Sequence, residues 1–171
     1  MRTAEPQPII HLVAGSTGAG KTTYARALAE RTGSLQFSID DWMTGLFWAD
    51  SPQPMDYAWA IERVGRCEAM IWRIAAGAAR RGSSWILDLG FTRAEHRARF
   101  ADLARAEGLP VMLHFVDVPA DERWARVQRR NAERGDTFAM EVDRAMFDFM
   151  EDMWEPPGED EMAALNGVRS A

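Results

Sequence analysis

Lysine is almost missing from this chain: one residue in 171, Lys21, against nineteen arginines. Cysteine is equally scarce, and the single Cys67 excludes an internal disulfide and suits a reducing compartment. No apolar run approaches the ~20 residues needed to span a bilayer; the longest, residues 69–79, is broken by Arg73. The N-terminus has no secretory pattern, because Glu5, Pro6 and Pro8 stand where an apolar core would be needed. These absences predict a cytoplasmic protein with no membrane partner. A basic excess is also lacking: the formal net charge is −6. Proteins that grip long nucleic acid draw much of their affinity from neutralising phosphates, so the balance disfavours that partner without closing it.

What is present gathers around the one lysine. Gly15-Ser16-Thr17-Gly18-Ala19-Gly20-Lys21-Thr22 satisfies G-x-x-x-x-G-K-[ST] without a mismatch, and Thr23 continues it. Glycines let successive backbone N–H groups converge on phosphate oxygens, and the helix that follows adds the positive end of its dipole. In this arrangement Lys21 reaches the β- and γ-phosphates and the Thr22 hydroxyl ligates Mg²⁺. An arginine fork would replace that compact ammonium poorly. The context fits, with an apolar strand over 9–14 before the loop and a helix after it. The motif reads as a nucleoside triphosphate site, for ATP with Mg²⁺.

The remainder alternates strands and helices, which predicts an α/β three-layer sandwich. Its sheet is mostly parallel, of four to five strands, with helices on both faces. Residues 1–8 read as a loose tail. A helix ends near Gly33, and strand two covers 35–39. Residues 42–48 read as helical, and residues 56–80 as a long helix with Tyr57, Ile61, Val64, Ile71, Ile74 and Ala78 on its apolar stripe. Strand three is Trp85 to Asp88. Thr92 to Glu95 fits a capping box, and strand four runs over 111–116. A helix from Ala120 opens a small lid over about 123–138, and 139–153 reads as a last amphipathic helix. The segment 155–171 reads as an acidic, solvated C-terminal tail. One domain covers 1–171, and its oligomeric state is left open.

Three features beyond the loop carry chemistry. Asp40 follows strand two at the carboxyl end of the sheet, where a carboxylate can orient an acceptor hydroxyl and take its proton. Asp41 beside it can instead cap the next helix. Asp88 ends an apolar strand as a Walker B carboxylate does, giving a Mg²⁺ partner for Thr22. Leu89 follows it, where motor ATPases place a water-activating glutamate. Arg126, Arg130 and Arg134 recur at helical spacing, with Arg129 beside them, as a lid that could close cations on the β/γ-phosphates. The alternative is a solvated basic face paired with Glu122 and Glu133. Trp42, Phe47, Trp48 and Trp59 fall in the segment expected to form the acceptor side, although core packing would also use them.

Together these motifs resemble the small P-loop kinases. That group includes the kinase domain of bacteriophage polynucleotide kinase, chloramphenicol phosphotransferase, zeta toxin and bacterial AAA-type ATP-binding proteins. The resemblance runs from about Ile9 to Asp152. It is carried by the phosphate loop, Phe37 to Trp42, Ile86 to Asp88, Val116 to Pro119 and Arg130 to Gly135. It implies Asp40 as the general base and Arg130 with Arg134 as the lid arginines. One position departs: polynucleotide kinase has an arginine three residues after its catalytic aspartate, and here that residue is Met43. The expectation is an ATP-dependent kinase acting on a hydroxyl of a nucleoside, sugar conjugate or antibiotic. A polynucleotide 5′-hydroxyl kinase, or a nucleotide switch without an acceptor, remains open.

Overall fold

The computed structural model describes residues 7–135 and 141–171. Five parallel strands form one sheet in the order β2-β3-β1-β4-β5. They are β1 (Ile10–Ala14), β2 (Leu35–Ser38), β3 (Trp85–Asp88), β4 (Val111–Val116) and β5 (Val168–Ser170). Parallel strands need covered crossovers, and the helices supply them: α1 (Lys21–Thr32), α2 (Ile39–Leu46), α3 (Tyr57–Ala79), α4 (Ala94–Ala106), α5 (Ala120–Glu133), α6 (Arg144–Asp152) and α7 (Glu159–Ala164). Among the described residues no helix is long and apolar enough to cross a membrane.

The period-two alternation of β1 divides the core. Ile10, Leu12 and Ala14 pack with Ile71 and Ala75 of α3 and Phe100 of α4, while Val13 packs with Ala25 and Leu28 of α1 on the opposite face. Phe147 of α6 and Val127 of α5 form a third small cluster with Val142. On the α1 face, His11 and His114 share a hydrogen bond of 2.9 Å, and the Tyr24 hydroxyl meets the other nitrogen of His114 at 2.8 Å. This buried chain ties the phosphate-loop helix to two neighbouring strands.

The C-terminal segment corrects the sequence reading. Residues 155–171 are not a loose acidic tail: α7 packs on the core, Leu165 is buried in it, and β5 extends the sheet beside β4. Arg97, fully buried in α4, takes Glu161 in a two-pronged pair of 2.6 and 2.8 Å, so an acidic residue read as solvated is an anchor. The helix expected over 139–153 is α6, from Arg144; residues 136–140, including the end of the expected lid, lie outside the described residues. Of the tail at 1–8, residues 1–6 likewise lie outside them.

Local details differ too. No capping box opens α4; Arg93 precedes it without a side-chain cap, and the Ala94 N–H is met by Glu155 at 2.8 Å. Ser38, not Asp41, caps α2, accepting from the Asp41 N–H at 3.2 Å. The apolar stripe of α3 is also rotated from its expected position. Tyr57, Ile61 and Ile74 are exposed, and the buried face runs through Cys67, Ile71, Ala75 and Ala79.

Burial pushes the His114 imidazole down to about 4, with the neighbouring His11 and Arg31 lowering it further, and burial lowers His11 as well. Between that value and the ordinary 6.5, the unfolded chain therefore binds more protons at these imidazoles than the folded one. Stability should be full above pH ~6.5 and fall by about 2–3 kcal/mol as pH drops toward 4. Urea unfolding across this range checks it, and the slope should flatten in His114→Gln.

Candidate active site

The parallel sheet order converts distant sequence into one cleft. β1 lies between β3 and β4, so the loop after β1 and the end of β3 share one edge of the sheet. The register pairs Ser38 with Asp88, which sets the start of α2, and with it Asp40, next to the end of β3. Asp40 therefore stands in the first helical turn, not in a loop after the strand.

The result is a cleft of about 810 Å³. Its lining includes every residue of the phosphate loop from Gly15 to Thr23, together with Asp40, Asp88 and Arg130. The loop is built by close approach. A Cβ at Gly18 would lie 2.6 Å from the Arg123 carbonyl oxygen and 2.9 Å from Val127, and its φ of +80° is left-handed. At Gly15 a Cβ would lie 2.8 Å from the Val116 carbonyl. Lys21 begins α1 and donates to the Ser16 carbonyl at 3.2 Å. Burial lowers its pKa; the negative charges of Asp88 and Asp40 oppose that shift.

The Thr22 hydroxyl donates to Asp88 at 2.7 Å. Asp88 is nearly enclosed, and burial raises its pKa; Lys21 and the Thr22 hydrogen bond pull the other way, and Asp40 and Asp41 add to the rise. A desolvated carboxylate among other carboxylates gains from a cation. Among the described residues no group of three or more His, Cys, Asp or Glu could hold a metal. The donor set is one carboxylate and one hydroxyl, which fits Mg²⁺ that takes its other oxygens from phosphates and water.

The arginines of α5 divide. Arg130 lines the cleft, and its Nε is buried with no hydrogen-bond partner among the described residues. Burial lowers its pKa and Asp40 opposes the shift. A desolvated, unpaired donor of this kind is a place for an anion. Arg129 lines the cleft at its exposed rim. Arg126 also lines the cleft, donating to the Ala19 carbonyl at 3.1 Å and pairing with Glu122. Arg134, in a left-handed conformation at the helix end, does not line the cleft and pairs with Glu141 at 3.5 Å.

Opposite α5, the wall is Ile39, Met43, Thr44 and Trp48. Of the four candidate aromatics, Trp48 lines the cleft. Trp42 packs edge-on against Phe37, while Arg63 covers Trp59 at 4.0 Å and lies 5.9 Å from the Phe47 ring centre. Sequence reasoning missed Arg123 and Glu151, which brace the loop from behind, and Tyr24 and Met150, which line the cleft. Arg123 shares the face of buried Val127 one helical turn away, a signal that spacing could have given. Glu151 lies 135 residues from its partner Ser16, beyond the reach of any local pattern.

A family model described as an AAA domain matches residues 10–157. The chain belongs to that family. No curated protein matches the sequence. Among solved structures, this AAA-domain chain is similar to Kti12 of Chaetomium thermophilum, in complex with ADP-AlF3, at 18% identity and a TM-score of 0.65; the match covers 96% of this chain and 89% of that one. It is similar to a gluconokinase from Sinorhizobium meliloti 1021 at 15% identity and a TM-score of 0.57, covering 98% and 83%. A chain of the Pnkp1/Rnl/Hen1 RNA repair complex matches at 18% identity and a TM-score of 0.67, covering 89% of this chain but 45% of that one. At these identities the likeness establishes the fold, that of the α/β P-loop NTPases.

Gly18→Ala should weaken nucleotide binding more than tenfold, because the added carbon meets backbone as well as a side chain. Gly33→Ala is the comparison: its φ is +68° but nothing lies within 4 Å of the new carbon. It should cost only about 1 kcal/mol of stability and leave binding intact. Calorimetric titration with ATP separates the two.

Proposed function

We propose that the protein is an ATP-dependent kinase that transfers the γ-phosphate to a hydroxyl of a small molecule. The observation that carries this reading is the meeting of opposed groups in one cleft. Asp40 stands on the α2 side, Lys21 and Arg130 answer it on the other, and the Thr22–Asp88 pair lies with them.

Asp40 is exposed in the cleft and open to an arriving substrate. In the proposed reaction its carboxylate orients the acceptor hydroxyl and takes its proton as the oxygen attacks phosphorus. The bond from the γ-phosphorus to its bridging oxygen then breaks, and the leaving diphosphate keeps the electron pair. Lys21 and Arg130 hold the charge carried by the transferring group, in a place where burial strengthens each interaction. Thr22 and Asp88 would hold Mg²⁺, which neutralises phosphate charge when bound. Arg134, at the outer end of α5, is assigned to the edge of the lid and Arg130 to its inner side. A carboxylate after Asp88 would favour water as the acceptor, and Leu89 stands there, buried.

The acceptor side supports a small substrate. Met43 and Trp48 present apolar surface, and residues 39–50 contain no lysine, arginine or histidine to receive an acceptor phosphate.

Asp40→Asn should lower transfer by ~10²–10⁴-fold with ATP affinity nearly unchanged. The measurement uses γ-labelled ATP with Mg²⁺ and a panel of nucleosides, sugars, hydroxylated antibiotics and a 5′-hydroxyl oligonucleotide. Label on a small compound, lost in the variant, bears the reading out. Label on the oligonucleotide alone would move the acceptor to a nucleic-acid end. Collapse of ATP binding in the variant would remove Asp40 from the role of base.

A further inference from the structure

The carbonyls of the phosphate loop are held by side chains that the proposed chemistry does not use. Arg123 Nη1 donates to the Thr17 carbonyl and Arg126 Nη1 to the Ala19 carbonyl, each at 3.1 Å. In a trans peptide the C=O and the next N–H point in opposite directions. A carbonyl drawn toward these guanidinium groups therefore turns the following amide away from them. The two amides concerned belong to Gly18 and Gly20, both in the cleft lining.

Arg123 has little freedom to do anything else. It is 5% exposed, its Nε donates to the Val118 carbonyl at 2.7 Å, and both terminal nitrogens reach Glu151, at 2.6 and 2.5 Å. With these bonds made it is poorly placed to ligate a phosphate itself. Glu151, on α6, also accepts from the Ser16 hydroxyl inside the loop. One carboxylate thus joins α6, α5 and the loop. A carboxylate this near a triphosphate site would repel the ligand if its charge were not matched, and the two-pronged pair with Arg123 matches it.

We propose that Arg123 and Glu151 are positioning residues that preset the phosphate loop for its anion, aiming the Gly18 amide by holding the Thr17 carbonyl behind it. The proposal rests on the reading of the cleft as a nucleotide site. It assigns binding strength to residues that do not touch the ligand, and it separates Arg123 from the phosphate-facing Arg130 on the same helix.

The test compares the full-length wild type with Glu151→Ala, Glu151→Gln and Ser16→Ala. Each is titrated by calorimetry with a non-hydrolysable ATP analogue and Mg²⁺, well below its melting temperature, and the Tm of each protein is measured without ligand. Glu151→Ala should weaken binding by about tenfold to a hundredfold, the usual effect of losing a charge-assisted hydrogen bond. Glu151→Gln keeps an oxygen acceptor of the same shape and should recover part of that loss, with a Tm close to wild type. Ser16→Ala should weaken binding less than Glu151→Ala. Affinities equal to wild type in all three, even with a lowered Tm, would reduce the cluster to support of the fold and overturn the proposal. A folded wild type that fails to bind the analogue would overturn the nucleotide reading first and this proposal with it.

Discussion

The parallel ladder that sets Ile10 beside Trp85 and Leu12 beside Leu87 is the constraint from which the cleft follows. It brings the exit of β1 and the end of β3 to the same edge, so a hydroxyl on one segment meets a carboxylate on the other at 2.7 Å. The neighbouring ladder, Ser38 beside Asp88, then fixes where α2 can start. Asp40 is in the cleft because a serine one residue before the helix supplies its cap. None of these side chains finds its neighbour through its own flexibility; backbone register delivers them.

A second tier of the structure is electrostatic. Among the described residues two arginines lie in the interior, and each is matched in the same way, by a bidentate carboxylate and at least one backbone carbonyl. Arg97 joins the Phe91 carbonyl to Glu161 of α7, and Arg123 joins the phosphate loop to Glu151 of α6. Burial of an unmatched guanidinium would be costly, so each pair makes the late part of the chain a requirement for the early part. The acidic stretch that gives the protein its negative charge is thus partly internal wiring.

The sheet and the loop were legible in the sequence because their signals are local. The phosphate-loop motif, four apolar strands and the glycine at position 33 each sit within a short window. The last strand was not, since Val168–Ser170 is three residues long and carries no period. The helix before it hid behind Glu159, Asp160 and Glu161, whose charges suggest solvent until a buried arginine is known to be waiting. The face of α3 was mistaken because large residues were weighted over small ones; Ala75 and Ala79 pack against the core while Ile74 faces out. In the site, residue types foretold Lys21, Thr22 and Asp88 as a group. The sorting of five arginines into brace, cleft and rim depended on helix phase and on partners more than a hundred residues away.

The crowding at Gly18 carries a mechanical implication for α5. With no room for even one carbon between the loop and the helix at Arg123 and Val127, those first turns cannot swing without dragging the loop along. They are bedrock to the cleft: the loop and the start of α5 form one block, so a change that shifts either is felt by the other.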